Sequence, residues 1–198
     1  MRVVAFLQPG MADWEAGHVL AYLREYLGAE VLTATPDGKP VTSIGGLRVS
    51  ADTAFNTVDL DHADALLIIG SDAWPDYEDE PFYAFLRAAQ KCDLVIGAIC
   101  AGTVAAARAG LFAGRAHTSN GREWLLNHAP EYHGETQYRD VPCAVRDGRI
   151  VSAPGSAPVT FAAEIAKLLA PEKAGEADSF IALCSRELTA SAATPGHA

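Results

Sequence analysis

The chain of 198 residues is long enough to bury one continuous core, and its 49% hydrophobic and 20% charged residues are ordinary for a globular protein. A formal net charge of −10 and a sequence pI near 4.9 exclude nucleic acid as a partner, because no basic face is left to neutralise phosphates. No apolar run approaches the roughly 18 residues that span a bilayer. The opening Met1-Arg-Val-Val-Ala-Phe-Leu-Gln8 enters a strand without a signal-peptide pattern, so a cytoplasmic protein with no membrane partner is expected.

Val3–Gln8 reads as a short buried strand, broken by Pro9-Gly10. Asp13–Leu27 follows as an amphipathic helix, with Val19, Leu20, Leu23 and Leu27 as its apolar stripe and Asp13 as its N-cap. Glu30–Ala34 forms a second strand, closed by the turn Pro36-Asp37-Gly38, and 41–49 forms a short irregular β segment around Gly45-Gly46. Ala65–Gly70 is another buried strand, a turn-rich loop covers 71–76, and Pro81–Lys91 is helical. From Leu94 to Arg108 an apolar strand passes through Cys100 directly into an Ala-rich helix. After Gly110 the chain is loop-like through His117-Thr-Ser-Asn120, with a short helix at Arg122–Asn127. Val141–Val145 and Arg149–Ala153, joined by Asp147-Gly148, predict a hairpin. Thr160–Leu169 predicts a helix, and a further helix is placed around Ala177–Leu188. Residues 1–188 are thus expected to form a single domain, and the small, polar residues 189–198 a disordered tail. Apolar strands without a polar face, alternating with helices, imply an α/β sandwich of three layers with a mostly parallel sheet and helices on both faces. In such sheets ligands bind beyond the carboxyl ends of the strands. Gln8-Pro9-Gly10, Gly70-Ser71-Asp72 and Cys100 all fall at strand ends and are expected to meet at one rim.

Cys100 carries the sharpest signal. Ala98 and Gly102 flank it at minus two and plus two, and Ala101 follows it; such small residues let a strand reverse tightly into a helix, the geometry of a nucleophile elbow. The helix that follows aims N–H groups at the sulfur and is expected to favour thiolate. A buried structural thiol is the commoner fate of a free cysteine, but the small flanks favour a reactive one. Glu15 lies in the first helical turn after the first strand. It is either a solvated first-turn acid or a carboxyl pointing across the rim, where a raised pKa would let it pass a proton. His18 is a candidate proton carrier, with a structural histidine as the alternative. The amides of Gly70, Ser71 and Ala101 are candidates for an oxyanion hole. Trp14 and Trp74 are candidate pocket walls, against a plain packing role. His117 and the polar Thr118-Ser119-Asn120 either line the site or satisfy their own turn. Cys92, Cys143 and Cys184 lack elbow flanks, and without CxxC spacing the four cysteines suggest neither a zinc site nor a dithiol motif, so no metal or cofactor is expected.

The stretches Ala12-Asp-Trp-Glu-Ala16, Ala65-Leu-Leu-Ile-Ile-Gly-Ser71, Gly97-Ala-Ile-Cys-Ala-Gly-Thr103 and Asp147-Gly-Arg-Ile-Val-Ser-Ala-Pro-Gly-Ser156 resemble the ThiJ/PfpI superfamily, which includes the parkinsonism-associated deglycase and the PfpI-type intracellular proteases. The resemblance runs from Val3 to about Leu169. It implies a flavodoxin-like, class I glutamine amidotransferase-like fold, usually homodimeric, with Cys100 as nucleophile and Glu15 as its protonated partner. It also implies oxidation of Cys100 to a sulfinic acid hydrogen-bonded to Glu15. Two positions depart from the pattern: Ala101 stands where the proteases and related glyoxalases carry histidine, and Asn120 falls where the deglycase group does, with His117 three residues earlier. His133-Gly-Glu135 has the His-x-Glu spacing of Cys-dependent amidotransferases but precedes the hairpin instead of following the last strand, and is read as coincidence. The expected function is a cysteine-dependent hydrolase or lyase of glyoxalase or deglycase type, acting on small reactive carbonyl compounds or their adducts in a stress response. The alternatives are a non-enzymatic redox-responsive stress protein and a PfpI-type peptidase or amidotransferase-like hydrolase.

Overall fold

The computed structural model describes residues 1–192. In chain order it contains β1 (Arg2–Phe6), α1 (Asp13–Leu27), β2 (Glu30–Thr35), β3 (Val41–Thr42), β4 (Arg48–Val49), β5 (Thr53–Ala54), β6 (Ala65–Ile68), α2 (Glu80–Lys91), β7 (Val95–Ile99), α3 (Gly102–Arg108), α4 (Arg122–His128), β8 (Val145–Asp147), β9 (Ile150–Ala153), α5 (Pro158–Leu169) and α6 (Ala174–Ala192). The main sheet runs β5-β2-β1-β6-β7-β9-β8, parallel throughout except for β8, which lies antiparallel on β9. No helix among the described residues is long and apolar enough to cross a membrane.

The strands are apolar on both faces because both faces are covered. Val4, Phe6, Leu66, Ile68, Ile96 and Ala98 pack on one side with residues of α2, α3 and α4. Their chain neighbours Val3, Ala5, Leu67, Val95 and Ile99 pack on the other with residues of α1 and α5. This alternation is the period of two that strand geometry imposes, here apolar in both phases. The two layers approach β7 closely: a Cβ at Gly97 would lie 2.7 Å from Ile165 and 2.8 Å from Phe161, so α5 sits where only glycine leaves room.

Several local expectations are corrected. Asp13 is not the N-cap of α1; Ala12 holds that position without a side-chain cap, and Asp13 Oδ2 instead accepts the Gly45 N–H at 2.7 Å. That bond ties the 43–47 loop to α1, and the segment 41–49 is a small antiparallel hairpin of β3 and β4. The predicted 141–153 hairpin forms, but its first arm begins only at Val145. Pro142 has no N–H to offer a ladder, and the Ala144 N–H is taken by Thr160 Oγ1 at 2.9 Å. Helix α6 starts at Ala174 and continues to Ala192, past the expected start of the tail, while residues 193–198 lie outside the described residues. β5 is two residues long and carries no period that a sequence could reveal.

Candidate functional site

β1 feeds β2 on one side, and the chain then returns to place β6 on the other, so β1 and β6 flank the point where strand order reverses. Their carboxyl ends are tied together: Ser71 Oγ donates to Pro9 O at 2.6 Å, and Ala12 N donates to Gly70 O at 2.9 Å. The second bond starts α1 at the rim and aims its first turn at the end of β7, where Cys100 sits.

Cys100 adopts φ +57°, a left-handed conformation that costs a non-glycine residue about 1–2 kcal/mol and marks a backbone held in place by its surroundings. The hold is visible on both sides. Cys100 N donates to Ala153 O at 2.9 Å, and Cys100 O accepts from Thr103 N at 3.1 Å and from Thr103 Oγ1 at 2.5 Å. Gly102 is required because a Cβ there would overlap the Ile68 carbonyl. This is the elbow that the small flanks predict.

Glu15 is 0% exposed. It lies on the buried face of α1 with Ala16, Val19 and Leu23, not on the solvent face. Oε2 accepts the Gly70 N–H at 2.8 Å. Oε1 has no ordinary hydrogen-bond partner among the described residues and lies by the Cys100 side chain, close enough for each group to alter the other's titration. Burial pushes the Glu15 carboxyl up to about 7, with the Cys100 thiol and the Gly70 amide partly opposing it. Glycine is again obligatory: a Cβ at Gly70 would overlap Glu15 Oε2 and lie 2.7 Å from Cys100 Cβ, and one at Gly155 would lie 2.8 Å from Cys100 Sγ and 2.9 Å from Glu15 Oε1.

The expectation of a thiolate favoured by the helix that follows is not met in this arrangement. The Cys100 thiol is pushed up to about 11, first by burial and then by the charge of Glu15; the amide of Asn120 and the N–H of Ala101 act in the opposite sense but are outweighed. Helix α3 has only seven residues, and its end cannot compensate for a buried carboxylate beside the sulfur. The two acids form one coupled unit that holds a proton up to neutral pH.

The other predicted residues divide clearly. Asn120 is at the site: Nδ2 donates to Cys100 Sγ at 3.2 Å, and Oδ1 accepts the Gly155 N–H at 2.9 Å. The Gly70 amide is taken by Glu15, so it is not free for an oxyanion. The Ser71 hydroxyl is engaged with Pro9 O and the Ala73 N–H. Trp74 is 0% exposed and packs against Phe55 and Phe82, its indole N–H donating to Ile69 O at 2.6 Å; it belongs to the core and walls no open pocket. His18 bonds Trp14 O at 2.7 Å and meets Phe180 of α6. His117 is buried between Arg115 O and the Tyr132 hydroxyl and stacks on Phe112, and burial keeps its imidazole below the ordinary histidine range. Both histidines are thus occupied away from the sulfur. His133 is exposed. Cys92 and Cys143 are exposed, Cys184 is half-buried, and all three are free thiols.

Sequence reasoning missed Gly155 as a site residue. It follows β9, which pairs with β7, so the strand-end rule applied to Pro154-Gly-Ser156 would have placed it beside Cys100. It also missed the bond from Trp14 Nε1 to Gly155 O, 3.0 Å long and 141 residues apart in sequence.

With this geometry in hand, comparison with known proteins is informative. Residues 1–168 match the DJ-1/PfpI family. The chain is 31% identical over 175 residues to a Bacillus subtilis protein named as an uncharacterized protease, YoaZ, covering 85% of this chain and 83% of that one. Among solved structures, the DJ-1 superfamily protein Atu0886 from Agrobacterium tumefaciens is 40% identical with a TM-score of 0.83, over 92% of this chain and 98% of that one. A ThiJ/PfpI family protein from Bacillus anthracis is 32% identical with a TM-score of 0.78, over 84% and 82% respectively.

Proposed function

The chain belongs to the DJ-1/PfpI family, and we propose that within it this protein is a cysteine-dependent enzyme acting on small reactive carbonyl compounds or their adducts. The observation that carries this reading is the pairing of Cys100, held in a left-handed elbow, with a fully buried Glu15 whose carboxyl retains its proton up to about pH 7. A buried carboxyl tuned to neutral pH beside a nucleophile is the arrangement of a general acid and base. In the first step the sulfur bonds to the carbonyl carbon and the C=O π electrons move to oxygen. The proton that leaves the thiol reaches that oxygen through Glu15, giving a hemithioacetal with no net change in charge. Because the Gly70 amide already holds Glu15, stabilisation of the forming oxyanion falls to the Glu15 carboxyl itself and to the two amides left of the candidates, those of Ser71 and Ala101. The protease-named relatives agree with a hydrolase, but a Cys–His mechanism lacks support here, since His18 and His117 are bound elsewhere.

The test is turnover of α-oxoaldehydes and their thiol or amine adducts. Cys100→Ala is expected to abolish it and Glu15→Gln to lower it at least a hundredfold, in the range of a lost general acid. Full activity in Cys100→Ala would refute the mechanism. A second reading, a redox-responsive thiol, draws support from the unpartnered Glu15 Oε1, which is placed to hydrogen-bond an oxygen added to sulfur. It predicts that peroxide oxidises Cys100 ahead of the exposed Cys92 and Cys143, as read by peptide mass spectrometry. The protein is further proposed to act in the cytoplasm and to be a homodimer; the exposed Ile44 and Leu47 beside α1 support the dimer alone.

A further inference from the structure

Three hydrogen bonds run in one direction toward the sulfur. The Trp14 indole N–H donates to Gly155 O at 3.0 Å, the Gly155 N–H donates to Asn120 Oδ1 at 2.9 Å, and Asn120 Nδ2 donates to Cys100 Sγ at 3.2 Å. The Asn120 amide accepts at one end and donates at the other, so the Gly155 N–H polarises it and makes its own N–H a better donor to a negative sulfur. Gly155 is also pinned by lack of space, since its Cα faces Cys100 Sγ and Glu15 Oε1 where a methyl would collide. Trp14 is the residue before Glu15 on α1, so one helical turn supplies both the proton-carrying carboxyl and the anchor of the loop that carries Gly155.

We propose that Trp14 is a positioning residue that holds the Gly155 loop, and through it the Asn120 amide, in register with the Cys100 sulfur. Asn120 is then the donor that steadies the sulfur where an imidazole could have stood, and because an amide cannot titrate, proton movement at the site is left to Glu15. The groups facing the sulfur fit this division: Glu15 from α1 is the titratable one, while Asn120, the Ala101 N–H and Gly155 are neutral. The inference rests on Cys100 being the reactive centre but not on what it reacts with.

The test follows Cys100 alkylation by iodoacetamide against pH, resolved by peptide mass spectrometry, with the exposed Cys92 and Cys143 as internal controls. Trp14 is 48% exposed, so Trp14→Phe, which keeps a six-membered aromatic ring and loses the N–H with the five-membered ring that carries it, poses little risk to folding. It is expected to move the midpoint of the Cys100 profile to higher pH and to slow alkylation about fivefold at pH 8, the effect of one lost hydrogen bond. Asn120→Ala should raise the midpoint further, and the double variant should match Asn120→Ala alone, because the chain is already cut. Cys92 and Cys143 should not move in any variant. A Trp14→Phe midpoint equal to wild type, or additive effects in the double variant, would overturn the proposal. Alkylation does not depend on carbonyl turnover, so an inactive protein whose midpoint still responds to Trp14→Phe would retain the positioning role and lose only the proposed enzymatic reading.

Discussion

Glu15 and Cys100 are two acids in a water-poor site, so burial raises both and the charge of one further shifts the other. Replacing Glu15 by Gln removes the negative charge that raises the thiol pKa. Cys100 in Glu15→Gln should therefore alkylate faster than in wild type at pH 8 while turnover falls; both changing in the same direction would show that Glu15 does not act on the sulfur through its charge. The same residue makes stability depend on pH. The folded carboxyl titrates at about 7, against an ordinary value of 4.5, so between these values the folded state binds more protons than the unfolded one. The stability this gives is complete below about pH 4.5 and is lost as pH rises through about 7. Glu15→Gln should lose that dependence, gaining on wild type across this window by up to roughly 3 kcal/mol. Thermal unfolding of both proteins at pH 4.5 and pH 8 reads it directly, and an unchanged difference between them would place the carboxyl in an ordinary environment. At this scale the sequence singled out the two residues that the structure brings together. It also held an unused clue, since Glu15 is in helical register with Val19 and Leu23 and so belongs to the buried stripe.

Among the elements, β7, the elbow and α3 act as one piece, and β6 sets how closely that piece can sit. The first residue of α3 passes so near the Ile68 carbonyl that a methyl at Gly102 has no space, and backbone cannot rotate away as a side chain can. Gly102→Ala should lower stability by about 1–3 kcal/mol, the cost of overpacking, read as a reduced urea midpoint. Gly175→Ala, in α6 with nothing near its added methyl, is the control and should be neutral or slightly stabilising. Equal midpoints for the two variants would mean that α3 and β6 are not in close contact. The strand–Cys–helix unit was readable because its signals are adjacent in the chain. The start of β8 was not, because the bond from Ala144 to Thr160 spans the turn and the following strand.

For the molecule as a whole, the α1 face and the β3–β4 hairpin form an apolar open surface. Ile44 and Leu47 are 60% and 63% exposed, and Leu47 shares a concavity with Gly17, Leu20 and Ala21. The proposed homodimer would cover these groups, and on that proposal Leu47→Asp should convert dimer to monomer in sedimentation velocity without changing the Cys100 alkylation profile. A wild-type protein that sediments as a monomer at tens of micromolar would remove the dimer from the account.

The sequence by itself determined the parallel α/β architecture and the tight strand-to-helix turn at Cys100, and it left open whether Glu15 faces solvent or the rim. Those conclusions follow from patterns within a few residues: doubly apolar strands, small residues at fixed offsets, and a helix that starts directly after a strand. Only the tertiary structure decided that Asn120 and Gly155, not His18 or His117, meet the sulfur, that Trp74 is core, and that the thiol pKa rises instead of falling. Each depends on segments distant in the chain: Asn120 and Gly155 are 35 residues apart, and Trp14 and Gly155 are 141 apart. The order of strands in the sheet brings them together, and burial, which comes only with that assembly, fixes the sign of the titration shifts.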